Sequence, residues 1–172
     1  INGDSLKTTP AYSIYREFFK KGMYDDAFPQ WKNMYNNAPG FRKQTFLDGG
    51  VMYTSLIQKT TDNALRQNYI DTLFQIYNKQ IQCHGEDEFV LGKKGVDLLK
   101  YGKSTDISEA RRALEKTLAI TGDKAFPYYI QTYYKVLINQ IGKDGITADF
   151  AINKYDELSA IVDKNIANPA NK

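Results

Sequence analysis

Apolar residues recur along this chain at intervals of three and four, in blocks separated by glycine, proline and short polar stretches. That spacing places each set on one face of an α-helix, and no stretch alternates with the period of two that a strand requires. Residues 1–10 read as a leader loop, closed by Pro10 near the first helical position. A helix from Ala11 to Lys21 follows, with Ile14, Tyr15, Phe18 and Phe19 at helical spacing, and Gly22 stops it. The second helix, Tyr24 to Asn37, carries Ala27, Phe28, Trp31, Met34 and Tyr35, with Pro29 within about its first turn. Ala38-Pro39-Gly40 is a firm breaker.

The alternation of helix and turn then repeats. Lys43 to Gln58 is predicted as a helix through Phe46, Leu47, Val51, Met52 and Leu56. Thr60-Thr61-Asp62-Asn63 supplies a loop and an N-cap for a long helix ending near Cys83, before Gly85. A third pair reads as Asp87 to Tyr101 and Asp106 to Ile120, the latter opening on a capping-box-like Asp106-x-x-Glu109. A fourth pair, Phe126 to Ile141 and Thr147 to Ile166, has its turn bracketed by Gly142 and Gly145. The helical domain therefore covers 11–166, and residues 167–172 read as a polar tail or the start of a linker.

Helices in regular pairs make either a bundle or a solenoid, and self-similarity decides between them. Gly22-x-Tyr24-x-x-Ala27-x-x-x-Trp31, closed by Pro39, resembles the second helix of a tetratricopeptide repeat (TPR). Ala11, Ile14, Tyr15 and Phe18 fall at the first-helix positions of that repeat, with Tyr15 where the family prefers a small residue. Phe46-x-x-Gly49-Gly50-x-x-Tyr53 and Leu73-x-x-x-Tyr77 match the next unit in part. Leu91-Gly92 with Ala110-x-x-x-Leu114 continues the register in the third. Phe126-x-x-Tyr129-Ile130-x-x-Tyr133 with Ala151-x-x-x-Tyr155 continues it in the fourth. The resemblance implies an all-α, TPR-like α-solenoid of about four antiparallel helix pairs. In such an array each pair buries its apolar face on its neighbours.

Residues 12–40 also resemble exported TPR proteins of Gram-negative bacteria associated with the outer membrane. The likeness lies in Tyr12-x-x-Tyr15-Arg16-Glu17-Phe18, Tyr24-Asp25-Asp26-Ala27-x-Pro29-x-Trp31 and Asn36-Asn37-Ala38-Pro39. It implies a periplasmic or outer-membrane-associated location. Members of that group are longer, so the chain is expected to be an N-terminal portion, with any targeting signal upstream of Ile1.

Composition changes this picture little. The 172 residues are 42% hydrophobic and 25% charged, enough for a packed core, and 13 Tyr and 9 Phe against 5 Pro suit packed helices. A net charge of +3, with both signs interspersed, gives no footprint for nucleic acid. No apolar run approaches the ~18–20 residues needed to cross a bilayer. One cysteine, Cys83, precludes an internal disulfide, and with the single His84 beside it supplies too few ligands for a thiolate metal site. Neither a metal nor a cofactor is expected.

No catalytic constellation emerges either. Asp25-Asp26 and Glu86-Asp87-Glu88 sit at helix starts, where negative charge meets the positive end of the helix dipole. Gly92-Lys93-Lys94-Gly95 lacks the frame of a phosphate loop and reads as close helix packing. Tyr15, Phe18, Trp31, Phe46, Tyr53, Tyr77, Tyr129 and Tyr155 occupy packing positions.

The TPR resemblance assigns the opposite face of each first helix to a concave groove. Those positions are Tyr12, Arg16, Phe19 and Lys20 in the first unit, and Gln44, Leu47, Val51, Thr54 and Ser55 in the second. In the fourth they are Gln131, Tyr134 and Lys135. A mixture of Tyr, Phe, Arg and Lys suits a protein partner, and Tyr12 and Arg16 replace the carboxylate clamp of chaperone-binding repeats. The expectation is a non-catalytic interaction scaffold. The alternatives are a structural accessory subunit of an outer-membrane assembly, secretion or uptake complex, and a small-ligand-binding or degenerate α/α enzyme domain.

Overall fold

The computed structural model describes residues 5–167, with side chains from Pro10 onward. Eight α-helices follow one another: α1 (Ser5–Lys20), α2 (Tyr24–Asn37), α3 (Gln44–Lys59), α4 (Asn63–His84), α5 (Glu88–Tyr101), α6 (Ile107–Thr121), α7 (Pro127–Asn139) and α8 (Ala148–Ala167). Short 3-10 turns, Ser104–Asp106 and Gly122–Lys124, precede α6 and α7. No strand occurs among the described residues.

Four local expectations need correction. Helix α1 runs back to Ser5, so residues 5–10 are not a loop, and residues 1–4 lie outside the described residues. Pro10 and Pro29 are each the sixth residue of their helix, beyond the turn whose N–H groups are free in any case. Each forfeits one helical hydrogen bond, and both prolines are exposed. Asp106 does not cap α6. Its carboxylate accepts from the Lys103 N–H at 2.7 Å and closes the 3-10 turn instead. At the other end of the chain, Ala167 still belongs to α8, and the remainder of the expected tail lies outside the described residues.

Other local signals act as expected. The Asp62 carboxylate accepts from Leu65 N–H at 2.9 Å, and Asp87 accepts from both Phe89 and Val90 N–H, also at 2.9 Å. Gly22 and Gly85 take φ of 74° and 81°, the left-handed conformation that ends a helix without steric cost.

The chain divides into two compact units, Ile1–Gly85 and Glu86–Lys172, each built of two helix pairs. In the first, α1 packs on α2, α3 on α4, and α2 meets α3. Its core is aromatic, and Trp31 is its centre at 1% exposure. The indole stacks on Tyr35 (5.1 Å between centroids) and meets Phe28 edge-on, while its N–H donates to the Thr45 carbonyl at 2.7 Å. Gly49 on α3 makes room for it, since a methyl group there would overlap the indole. The repeat-like glycine thus serves the tryptophan of the preceding helix.

In the second unit α5 packs on α6, α6 on α7, and α7 on α8. Leu114, Leu118, Ile130, Tyr133, Leu137, Ala151 and Leu158 belong to one buried apolar cluster. Both glycines of the Gly92–Gly95 segment are packing glycines. A Cβ at Gly92 would lie 2.5 Å from the Tyr129 ring, and one at Gly95 would lie 2.7 Å from Leu114.

Candidate functional site

In the first unit the groove residues assemble around a charge that the sequence reading passed over. Asp48 of α3 is 1% exposed, and the Arg16 guanidinium of α1 donates to both of its carboxylate oxygens at 2.6 Å. The Gln44 amide, one turn earlier on α3, donates to the same carboxylate at 2.9 Å. Burial works against the charge on Arg16, but the hydrogen bond and the charge of Asp48 outweigh it, and its pKa is raised. Arg16 is therefore a clamped cation whose position is fixed before any partner arrives.

The neighbouring aromatic rings are ordered by the same helix. Arg16 lies over the Phe19 ring at 5.3 Å, and Phe19 stacks on Tyr24 at 5.4 Å. Tyr12 touches both Tyr15 and Phe41 edge-on, at 5.3 and 5.7 Å. Tyr12, Arg16 and Phe19 are half-buried, with one side still accessible, and Lys20 is exposed. Tyr12, Ser13, Arg16, Glu17, Lys20 and Lys21 line an open hollow of about 510 Å³ along α1. Beneath them Tyr15 is fully buried, with its hydroxyl 3.5 Å from Thr45 Oγ1. A bulky residue at the small-residue position is thus accommodated as core.

The α3 positions differ among themselves. Val51 is exposed, Leu47 and Ser55 are half-buried, and the Thr54 hydroxyl is buried without a hydrogen-bond partner. In the second unit Gln131 and Lys135 are exposed on α7, whereas Tyr134 is half-buried against Tyr155 of α8, 5.5 Å between centroids. Tyr155 departs most from expectation: placed among the packing residues by its spacing, it is 54% exposed.

The second unit has a polar network of its own. Arg111 donates to Gln140 (3.0 Å) and to Glu115 (3.1 Å), and Tyr133 O–H donates to the other Glu115 oxygen at 3.2 Å. Gln140 in turn donates to Ser108, whose hydroxyl donates to Asp144. Burial, and then the charge and hydrogen bond of Glu115, push the Tyr133 pKa well above its ordinary value of 10.0. Every group here is engaged with another, and the network fastens α6 to α7.

Among the described residues no group of three or more His, Cys, Asp and Glu could hold a metal, and no helix is long and apolar enough to cross a membrane. The His84 ring faces the Pro39 carbonyl at 3.0 Å and packs edge-on against Phe46, while Cys83 beside it is exposed.

No family model matches the chain, and no curated protein matches it in sequence. Among solved structures it is similar to a thermophilic TPR protein of Thermus thermophilus, with a TM-score of 0.59 at 14% identity. The likeness covers 95% of this chain and 80% of that one. The protein has an all-α, TPR-like helical-repeat fold, an α-solenoid class built from antiparallel helix pairs.

Proposed function

We propose that the protein is a non-catalytic interaction scaffold, in which the face of α1 and α3 seats an extended segment of a partner protein. The observation that carries this reading is the fixed Arg16–Asp48 pair with Tyr12 and Phe19 half-exposed beside it. Arginine and aromatic side chains dominate the energetics of protein interfaces, and anchors already held in place lose little entropy on binding. Lys20, exposed at the end of the row, adds a rim charge that steers an acidic segment toward it.

Cross-linking in native cells, followed by purification and identification of what is attached, finds the partner. The assignment is then tested with Phe19→Ala combined with Lys20→Glu. These exposed and half-exposed changes leave Asp48 paired, whereas Arg16→Ala would strand a buried carboxylate and confound folding with binding. The double variant should fold normally and weaken partner binding at least about tenfold, some 1.4 kcal/mol. Unchanged affinity would remove the α1–α3 face from consideration.

The resemblance of residues 12–40 to exported proteins supports a second reading, a structural accessory subunit of an outer-membrane complex. Fractionation of native cells tests it, because an accessory subunit must sediment with the envelope and co-purify with the other subunits of the complex.

A further inference from the structure

Within the second unit a cleft of about 390 Å³ opens between α6 and α8, both of which pack on α7. That volume falls in the range of small-molecule sites, roughly 300–1,000 Å³. Its lining changes character along its length. At one end stand the charged residues Glu115 of α6 and Lys154 and Glu157 of α8. Further along both helices the walls turn apolar, with Leu118 and Ala119 on one side and Leu158 and Ile161 on the other. Just beyond, Lys164 pairs with Asp123 at 2.9 Å, and the Asn165 amide donates to the Ala125 carbonyl at 3.3 Å. These contacts tie α8 to the turn that follows α6 and bridge the apolar end. From Glu115 to Gly122 the cleft follows seven residues of α6, roughly 10 Å at 1.5 Å per residue.

The charged end is held in place before anything enters. Tyr133, fully buried, donates its O–H to one Glu115 oxygen at 3.2 Å, and Arg111 donates to the other at 3.1 Å. The Arg111 side chain is only 10% exposed against 37% for Glu115, so the carboxylate, not the guanidinium, faces the opening. A carboxylate has about four acceptor sites, and two bonds leave room for another donor. Lys154 is turned onto Glu157 at 2.6 Å, and Glu157 is the more exposed of the two. The mouth thus presents two carboxylates and one cation that is already paired.

We infer that this cleft binds a small organic amine. An apolar chain or ring lies along Leu118, Leu158 and Ile161, and the ammonium group meets Glu115 and Glu157. The apolar walls supply the affinity, and the fixed carboxylates select the sign of the charge. The bridged end suits a compact molecule and obstructs a peptide that would have to run through.

The probe is 4-phenylbutylamine, of about the 10 Å length of the cleft. 4-Phenylbutanol and 4-phenylbutyrate carry the same body with a neutral and an anionic head. Each is titrated into the full chain, with Leu and Ile methyl groups isotopically labelled for NMR. The amine should shift Leu118, Leu158 and Ile161 saturably and bind at least about tenfold tighter than either control. Ala119→Phe, at an exposed position on the wall, should fill the cleft and abolish binding. Glu157→Lys, also at an exposed position, should erase the preference for the amine. Helix content and melting should stay those of the parent in both. The inference is overturned if the amine gives no saturable shifts, if they map to α1 and α3, or if a control binds as tightly. It is equally overturned if either variant binds the amine as the parent does. Capped lysine, N-acetyl-lysine methylamide, separates the two sources of such a head group. Binding tighter than the amine would assign the cleft to a partner's side chain and overturn the small-molecule reading; weaker binding supports it.

Discussion

The two units of this protein solve the same packing problem with different materials. In the first, helix pairs are keyed together by shape: the Trp31 ring fills the space left by Gly49 and is walled by Tyr35, Phe28 and Tyr53. In the second, the apolar cluster is built of smaller side chains, and a hydrogen-bonded chain from Arg111 through Gln140 to Ser108 joins α6 to α7. Ring packing tolerates little change of volume, while a polar network tolerates little loss of a partner. One repeat plan can thus be held in register either by steric keying or by hydrogen-bond geometry. The first unit spends its aromatic residues mostly inside, whereas the second leaves Tyr128, Phe126 and Tyr155 exposed.

The sharpest way to break this contrast is at its centre. Trp31→Ala should cost about 3–5 kcal/mol, because a large buried ring is lost and its cavity only partly collapses. Gly49→Ala should cost about 1–3 kcal/mol by overpacking, and in the Trp31→Ala background that cost should fall sharply. Urea denaturation of the two single variants and the double variant measures the coupling; strict additivity would show that the glycine and the ring are not keyed.

In the second unit Gln140→Ala should cost about 1–3 kcal/mol, by leaving the buried Arg111 Nε–H without its acceptor. Hydrogen exchange should then rise in α6 and α7 and stay unchanged in α1–α4. If Gln140→Leu, which restores volume but not the acceptor, were as stable as the parent, the network would be ornamental.

The smallest effect expected is on alkaline stability, and it compares the units directly. Burial raises the pKa of Tyr15 in one unit, and burial with Glu115 raises that of Tyr133 in the other. A tyrosine that keeps its proton longer when folded stabilises fully below its unfolded value, and loses that contribution as pH climbs above it. Melting temperature should therefore decline from about pH 10 upward, where the unfolded chain begins to lose tyrosine protons first. Tyr15→Phe and Tyr133→Phe should each make the decline shallower; a decline no shallower in either variant would exclude these residues as its source.

Most helix boundaries were legible in the residues because they are set locally. Glycine stops, aspartate caps and the three-four apolar rhythm act within a turn or two of themselves, and Asp62, Asp87, Gly22 and Gly85 do what their types predict. The start of α1 was not legible, since Pro10 is compatible with both a first turn and a second. The binding face was half legible. The positions of Tyr12, Arg16 and Phe19 follow from helical spacing, but the role of Asp48 does not. Its only signal was an acid set in the otherwise apolar run from Phe46 to Met52, and such a residue is buried only when a partner reaches it from elsewhere.

The sequence by itself determined that the chain is helical, where its helices turn, and which residues share a face, because hydrogen bonding four residues apart enforces that periodicity. Tertiary structure alone decided that Tyr155, at packing spacing on α8, stays exposed, and that Arg16 answers a buried carboxylate 32 residues away. Both depend on contacts between helices distant in sequence, and no local rhythm specifies them.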